Sequence, residues 1–294
     1  MNNRLRVLLG TRVRVTLIVA AVLVPRGGTS AQTDSFTEVM RRAHQYAVIY
    51  QDHELSSVIA REHYQQLWLD FQLRAKAERA LVSDYLLFQV PPDEAWLAYR
   101  DVYEMDGMPI RDRAARLKSL LGRPRDQRGD LASEIMLESG RFNLAPTLYQ
   151  RTLNVPTLAL RLLLPASRSR IVFKKVGEEP VESTNSWIVE YRETRGPTLV
   201  ATPNGRDLPA HGRFWVEPET GAIMRSEMVV GGTRQERARV TIVVTYRREP
   251  ALGFHVPIEM LERYETPSRA QEDVVIGRAI YSGFRRFDLR TLVP

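Results

Sequence analysis

Five histidines are the first candidates for chemistry in this sequence, because imidazole is the commonest metal ligand and a frequent general base. They are His44, His53, His63, His211 and His255. No two of them are spaced for one face of a helix, and the HExxH motif is absent. The chain has no cysteine, so a zinc site would have to combine scattered histidines and carboxylates. The sequence therefore predicts no metal site and no cofactor.

Three carboxylates near one turn are the next candidates, because glycoside hydrolysis needs a pair of acidic side chains. These are Asp101, Glu104 and Asp106. Asp106 precedes Gly107, a pair typical of a hairpin turn. Asp101 and Glu104 are three positions apart, so on a strand they point to opposite faces. We interpret the three as turn and strand residues, and we assign no catalytic residue.

Other signatures of enzymes and of nucleic-acid binding are also missing or weak. The sequence has no GxSxG, GxxxxGK[ST] or GxGxxG motif and no calcium-binding loop. Arginine alternates with aromatic residues in Arg213-Phe214-Trp215 and in Phe284-Arg285-Arg286-Phe287, a composition that could stack on bases. On a strand, however, alternation places Phe284 and Arg286 on one face and Arg285 and Phe287 on the other, which is an ordinary strand composition. The sequence favours a protein that is not an enzyme and has no nucleic-acid partner.

The first thirty residues have the order of a secretory signal peptide. A segment with four arginines precedes the apolar run 17–24, a Pro25-Arg26-Gly27-Gly28 break, and then the small residues Thr29 and Ala31. The run is far shorter than the roughly 20 apolar residues that span a bilayer. We therefore expect a signal peptide at residues 1–31, cleavage near Ala31, and a periplasmic or secreted chain without a stable membrane anchor.

The net charge supports this interpretation. The full chain carries a charge of +7, but five of its 42 basic residues precede the first acidic residue, Asp34. Without them the chain has 37 basic and 35 acidic residues, a net charge of about +2. A nearly neutral exported chain gives no electrostatic reason to expect a nucleic-acid partner. Without disulfides it must be held by its core, which suits one large domain.

Hydrophobic periodicity places the elements of the mature chain. Ser35 and Glu38 form a capping box for a helix at about 36–50. Residues 55–69 support a helix or a strand with comparable force, and we favour the strand; strands at 79–90 and 96–105 follow. A block at about 112–165 contains predicted helices at 112–121, 130–142 and 157–164, the last with Asn154 as N-cap and Pro165 as stop. The remaining predicted strands are 171–176, 186–193, 208–217, 222–230, 238–247, 256–265 and 274–287.

These elements predict an α+β fold in a single domain, residues 32–294. Its sheet is antiparallel and strongly curved into an incomplete β barrel, with an N-terminal helix and an inserted helical block. Within 238–247, Val240, Ile242, Val244 and Tyr246 face one way and Arg239, Thr241, Thr245 and Arg247 the other. One face of the sheet is therefore buried and the other is exposed to solvent.

Three segments carry a resemblance to a known family. They are Gly212-Arg213-Phe214-Trp215-Val216-Glu217-Pro218-Glu219-Thr220-Gly221, Thr245-Tyr246-Arg247-Arg248-Glu249-Pro250 and Gly253-Phe254-His255-Val256-Pro257-Ile258-Glu259-Met260. With the order of elements, they resemble the bacterial lipoprotein-localisation fold of LolA and RseB. That resemblance implies an incomplete barrel covered by helices over an apolar cavity. Together with Arg100-Asp101-Val102 and Asp106-Gly107, the segments also resemble uncharacterised exported proteins of Acidobacteria.

Three functional hypotheses follow. In the first, the concave sheet binds a lipid, an acyl chain or another apolar ligand. The second is an interaction or sensing module of the cell envelope that receives a partner polypeptide. The third and least favoured is an unrecognised hydrolase. For the first hypothesis, the inward apolar rows predict the ligand-binding residues Phe214, Val216, Val240, Ile242, Val244 and Tyr246.

The predicted leader can be tested directly. N-terminal sequencing of the protein from an exporting bacterium should start at or near Gln32, in the periplasmic fraction. An intact 17–24 segment on a membrane-bound product would contradict the assignment.

Overall fold

The computed structural model describes residues 35–54, 57–90, 95–113, 115–116, 119, 131–144, 151–202, 204–234, 237–267 and 272–287. The predicted signal peptide at 1–31 lies outside these residues, so its cleavage stays a prediction. No helix in the described ranges combines the length and the apolar composition needed to cross a membrane.

The N-terminal helix, α1, spans Phe36–Ile49 and confirms Ser35 as the N-cap, while the Glu38 carboxylate pairs with Arg41. The Ser35 hydroxyl accepts a hydrogen bond from the backbone N–H of Glu38, with 3.2 Å between nitrogen and oxygen. A π-helical turn, Tyr50–Glu54, continues the helix. The buried residues Val39, Met40, Ala43 and Ala47 form one stripe along α1, and this stripe faces the core.

The helical block is less regular than the sequence predicted. Helix α2 spans Leu131–Gly140, in agreement with the predicted 130–142 helix. Of the predicted helix 112–121, residues 113, 115, 116 and 119 are helical, and the positions of its three leucines lie outside the described residues. The predicted helix at 157–164 is instead a 3-10 helix, Leu158–Leu163.

The N-cap role assigned to Asn154 was wrong, whereas the first 3-10 helix ends before Pro165 as predicted, with Leu164 extended. Thr157, not Asn154, occupies the N-cap position of the first 3-10 helix, and Asn154 is a buried residue with side-chain partners. Pro165 begins a second 3-10 helix, Pro165–Arg170. Proline suits this place because its fixed φ is helical and the first helical N–H needs no partner.

Thirteen strands are described, and all predicted strands overlap with them. They are β1 Val58–Leu69, β2 Ala75–Val90, β3 Ala95–Met105, β4 Met108–Pro109, β5 Ile171–Val181, β6 Thr184–Glu193, β7 Val200–Ala201, β8 Asp207–Leu208, β9 Ala210–Val216, β10 Ile223–Gly231, β11 Arg239–Glu249, β12 Phe254–Pro267 and β13 Glu272–Arg286. The predicted strand 208–217 is divided between β8 and β9, because β7 and β8 pair as a separate ribbon.

Eleven strands form one antiparallel sheet in the order β4-β3-β2-β1-β13-β12-β11-β10-β9-β6-β5. The first strand of the chain pairs with the last, so the two predicted meanders are halves of one sheet. The sheet is open, since β4 and β5 are its two edges. The helical block leaves the sheet after β4 and returns at the opposite edge, β5.

One face of this sheet, called the inner face below, packs against α1 and the first 3-10 helix. Its apolar core includes Val189 of β6, Phe214 of β9, Val244 of β11 and Leu162 of the 3-10 helix, each at most 2% exposed. Five of the six predicted ligand-binding residues are buried in this core, and the sixth, Val240, packs against it partly buried. Along β11 the observed burial has the predicted alternation.

Candidate functional site

The inner face is apolar on most strands but polar on β1. Three successive inward positions carry the polar side chains Glu62, Tyr64 and Gln66, which are 0%, 0% and 3% exposed. Inward positions of a sheet packed on a core are usually apolar, because a buried polar group is costly unless it is hydrogen-bonded. Most polar groups buried here bond to one another, although Gln66 Nε2, Arg151 Nε and Glu262 Oε2 have no partner among the described residues.

Glu62 is paired with Arg100 of β3. The arginine Nε donates to one carboxylate oxygen at 2.5 Å and its Nη2 to the other at 2.8 Å, a bidentate geometry. The Ser83 hydroxyl donates to the same carboxylate at 3.1 Å. Burial alone lowers the pKa of Arg100, but the charge and hydrogen bonds of Glu62 outweigh it and hold that pKa above its ordinary value. The pair is therefore an ion pair in the folded protein.

A second buried pair joins Arg151 to Glu262 of β12. Arg151 Nη2 donates to a carboxylate oxygen of Glu262 and to the Tyr64 hydroxyl, which donates to the same carboxylate oxygen. The guanidinium carbon of Arg151 lies 4.9 Å from the ring centroid of Tyr264. Glu62, Arg100, Arg151 and Glu262, called the charge quartet below, are each at most 2% exposed and together carry no net charge.

The charge quartet ties the helical block to the sheet, because Arg151 belongs to the segment between α2 and the 3-10 helices. Arg151 Nη1 also donates to the carbonyl oxygen of Leu144 at 2.9 Å. The backbone N–H of Leu144 donates to the Gln66 side-chain oxygen at 2.9 Å. With its amide oriented to satisfy both atoms, Asn154 accepts from Arg100 Nη1 and donates to the Arg151 carbonyl, each at 2.9 Å. Leu144, Arg151 and Asn154 are thereby fixed over the inner face.

A cavity of about 430 Å³ lies beside the charge quartet. Residues of α1, β2, β3, α2 and the first 3-10 helix contribute apolar walls, and Leu199 adds one more. The apolar wall residues are Ala47, Leu87, Ala98, Ile135, Met136, Leu153, Val155, Leu158, Leu160, Leu164 and Leu199. Sites for small molecules are typically of this size and mainly apolar.

Ten of the 21 described residues that line the cavity are polar, and five of them bear on its chemistry. Arg100 and Asn154 belong to the network around the charge quartet, and Arg161 comes from the first 3-10 helix. Tyr50 and Tyr85 are 1% and 3% exposed, and their hydroxyls have no hydrogen-bond partner among the described residues. Burial raises the pKa of both tyrosines, so both hydroxyls are neutral donors.

The six predicted ligand-binding residues do not line this cavity. They lie further along the same sheet, where the core is filled: the Tyr246 hydroxyl, for example, donates to the carbonyl oxygen of Pro156 at 2.6 Å. A role for any of them in binding stays a prediction. The alternation of β2, with Tyr85 and Leu87 two positions apart, was the sequence signal that pointed to an inward row on this side.

Three other chemical candidates, His44, Asp101 and Asp106, have structural roles. The Nδ1–H of His44 donates to the carbonyl oxygen of Leu163 at 2.7 Å, which joins α1 to the 3-10 helix. Asp101 is 1% exposed and accepts from Arg113 Nε at 2.5 Å. Asp106 has φ +52° in the predicted turn and accepts from the Ala80 N–H at 2.7 Å. Among the described residues no group of three or more histidines and carboxylates could hold a metal ion.

Substitution of two tyrosines by phenylalanine tests which hydroxyl stabilises the folded protein. Tyr64→Phe should lower the free energy of unfolding by about 1–3 kcal/mol, because Arg151 and Glu262 each lose a hydrogen-bond partner. Tyr85→Phe is the matched control and should leave it unchanged or slightly higher, since the hydroxyl has no partner. Urea denaturation of both variants measures the difference, and equal losses would contradict the assigned network.

Substitution of Gly277 tests whether the Glu262 carboxylate needs the space beside this glycine. A Cβ at Gly277 would overlap the Glu262 carboxylate, so Gly277→Ala should destabilise the protein by about 3 kcal/mol through displacement of a buried ion pair. At Gly177, another glycine in a strand, a Cβ would meet only Ile188 Cδ1 at 3.6 Å, an ordinary contact. Gly177→Ala should therefore be nearly neutral in urea denaturation. A Gly277→Ala protein as stable as this control would show that Glu262 is not held in place.

Comparison with known proteins gives matches only among solved structures. No protein-family model matches the sequence, and no curated protein matches it. The chain is similar to a DUF1329 family protein from Desulfovibrio piger, with 13% identity, a TM-score of 0.37, and coverage of 84% of this chain and 92% of that chain. It is also similar to a putative outer membrane lipoprotein-sorting protein domain from Vibrio parahaemolyticus, with 11% identity, a TM-score of 0.35, and coverage of 86% and 95%. A LolA superfamily protein from Nitrosomonas europaea matches with 11% identity, a TM-score of 0.36, and coverage of 86% and 93%.

Proposed function

We propose that this protein is an exported periplasmic protein that binds a lipid, an acyl chain or another apolar ligand in the cavity between β2, β3 and the helices. One observation carries the proposal: a cavity of about 430 Å³ with mainly apolar walls. Its volume falls within the range of about 300–1,000 Å³ typical of small-molecule sites. An apolar molecule there would bury its surface without requiring many hydrogen bonds.

The surroundings of the cavity support a preformed site. On one side, hydrogen bonds within and around the charge quartet fix Leu144, Arg151 and Asn154 to the sheet. On another side the hydrogen bond between His44 and Leu163 joins the two helices that contribute wall residues. Sites that exist before the ligand arrives bind it with less loss of conformational entropy.

The proposal includes a curved sheet. Val102 of β3 and Val189 of β6 lie near opposite edges of the sheet, yet both belong to the same apolar core. An incomplete barrel brings such distant strands around one core and creates a concave face for a ligand. The predicted residues on β9 and β11 would then lie on the same concave face as the cavity.

A second candidate function is reception of a partner polypeptide at the β5 edge. This eleven-residue strand ends the sheet, and its Val172 and Val176 are 57% and 43% exposed. An open edge can pair with an extended peptide, whose backbone groups complete the ladder.

A pair of alanines distinguishes a binding cavity from a filled core. Ala98→Leu adds volume at the cavity wall, so it should leave stability nearly unchanged. It should lower the affinity for a fluorescent fatty acid at least tenfold. Ala60→Leu adds the same volume in the packed core, where overpacking should cost about 1–3 kcal/mol. Its folded fraction should retain the wild-type affinity for the probe.

Thermal unfolding and probe titration of both variants and the wild type give the answer. If the wild type binds no such probe and both leucine variants are equally destabilised, the space is part of the core. The polypeptide-binding hypothesis would then take the place of ligand binding.

A further inference from the structure

We propose that the ligand is an acidic amphiphile, whose apolar body fills the cavity and whose anionic head group, a carboxylate or a phosphate, binds the guanidinium of Arg161. This inference rests on the proposed function and specifies the chemical class of the ligand. Three observations lead to it.

The first observation is the uncompensated charge of Arg161. Its guanidinium forms no ion pair and no side-chain hydrogen bond with any described residue, although it contributes to the cavity wall. The other arginine of the wall, Arg100, is neutralised by Glu62. Arg170, close enough to affect Arg161, is paired with Glu193 at 3.3 Å. Burial and the positive charge of Arg170 both lower the pKa of Arg161, so its surroundings favour an added anion.

The second observation is the composition of the wall. The described residues that line the cavity include two arginines and no aspartate or glutamate. An anion near Arg161 would therefore meet no repelling carboxylate among the described residues of the wall. A guanidinium that presents several N–H donors in one plane matches the oxygens of a carboxylate or a phosphate. Although part of the Arg161 side chain lies against the cavity, the residue as a whole is exposed to solvent. A head group there can therefore remain partly hydrated while the body is buried.

The third observation concerns the hydroxyls of Tyr50 and Tyr85. Both line the cavity, both tyrosines are more than nine-tenths buried, and neither hydroxyl has a partner among the described residues. A pure hydrocarbon would leave both donors without an acceptor, at a cost of about 1–3 kcal/mol for each group. The cavity therefore suits a ligand that carries oxygen atoms better than an alkane.

The test compares a long-chain fatty acid with its methyl ester and with the monoalkyl phosphate of equal chain length. Calorimetric titration of the wild type should show that the acid binds about tenfold more tightly than the uncharged ester. Arg161→Gln should weaken the acid about tenfold and change the affinity for the ester less than twofold. The guanidinium of Arg161 has no hydrogen-bond or ion-pair partner among the described residues. This variant should therefore unfold at the wild-type temperature.

Arg168→Gln is the matched control, since Arg168 is an exposed arginine of the neighbouring 3-10 helix that does not line the cavity. Its affinities should equal those of the wild type. The ratio of the affinities for the monoalkyl phosphate and for the fatty acid identifies the preferred head group.

Two results separate the possible failures. If the wild type binds acid and ester equally, or if Arg161→Gln weakens both alike, the head-group assignment is wrong and the apolar site stands. If the wild type binds none of the three compounds, the proposed function itself fails and this inference fails with it.

Discussion

The burial of four charges on the inner face is the constraint on which the rest of this structure depends. Each buried carboxylate would be costly without an arginine partner, and removal of one partner typically costs several kcal/mol. Glu62 and Glu262 are held by two strands, but Arg151 comes from the helical block. The ion pair between Arg151 and Glu262 can form only if that block lies over the sheet. The position of the cavity wall around Asn154 is therefore fixed by ion pairs as well as by apolar contacts.

The inner face is consequently divided into two parts with different consequences for function. On β9 and β11, large side chains such as Phe214 and Tyr246 fill the space beneath α1 and the 3-10 helix. Beside the charge quartet, the small side chains Ala47 and Ala98 leave the cavity open. Closely packed interiors rarely contain space of this size, because every unfilled volume forfeits dispersion contacts. A bound apolar molecule would recover those contacts.

The sequence predicts helices and strands well where one face of the element is apolar. Helix α1 and strand β11 have clear periods, so their limits and buried positions were predicted well. On β1 both faces are polar from position 61 to 66, so alternation gave no indication of which side is buried. The partners of the charge quartet are also distant in sequence: Arg151 and Glu262 are 111 residues apart. No local pattern connects such a pair, so this network could not be predicted from the sequence.

Native mass spectrometry of the protein, purified from the periplasm without detergent, tests the central claim most directly. If the cavity is a ligand site, part of the protein should carry an added mass of a few hundred daltons, in keeping with a cavity of about 430 Å³. Denaturation should release it as an apolar small molecule. Spectra that show only the mass of the bare chain, together with no uptake of added fatty acid, would contradict the account.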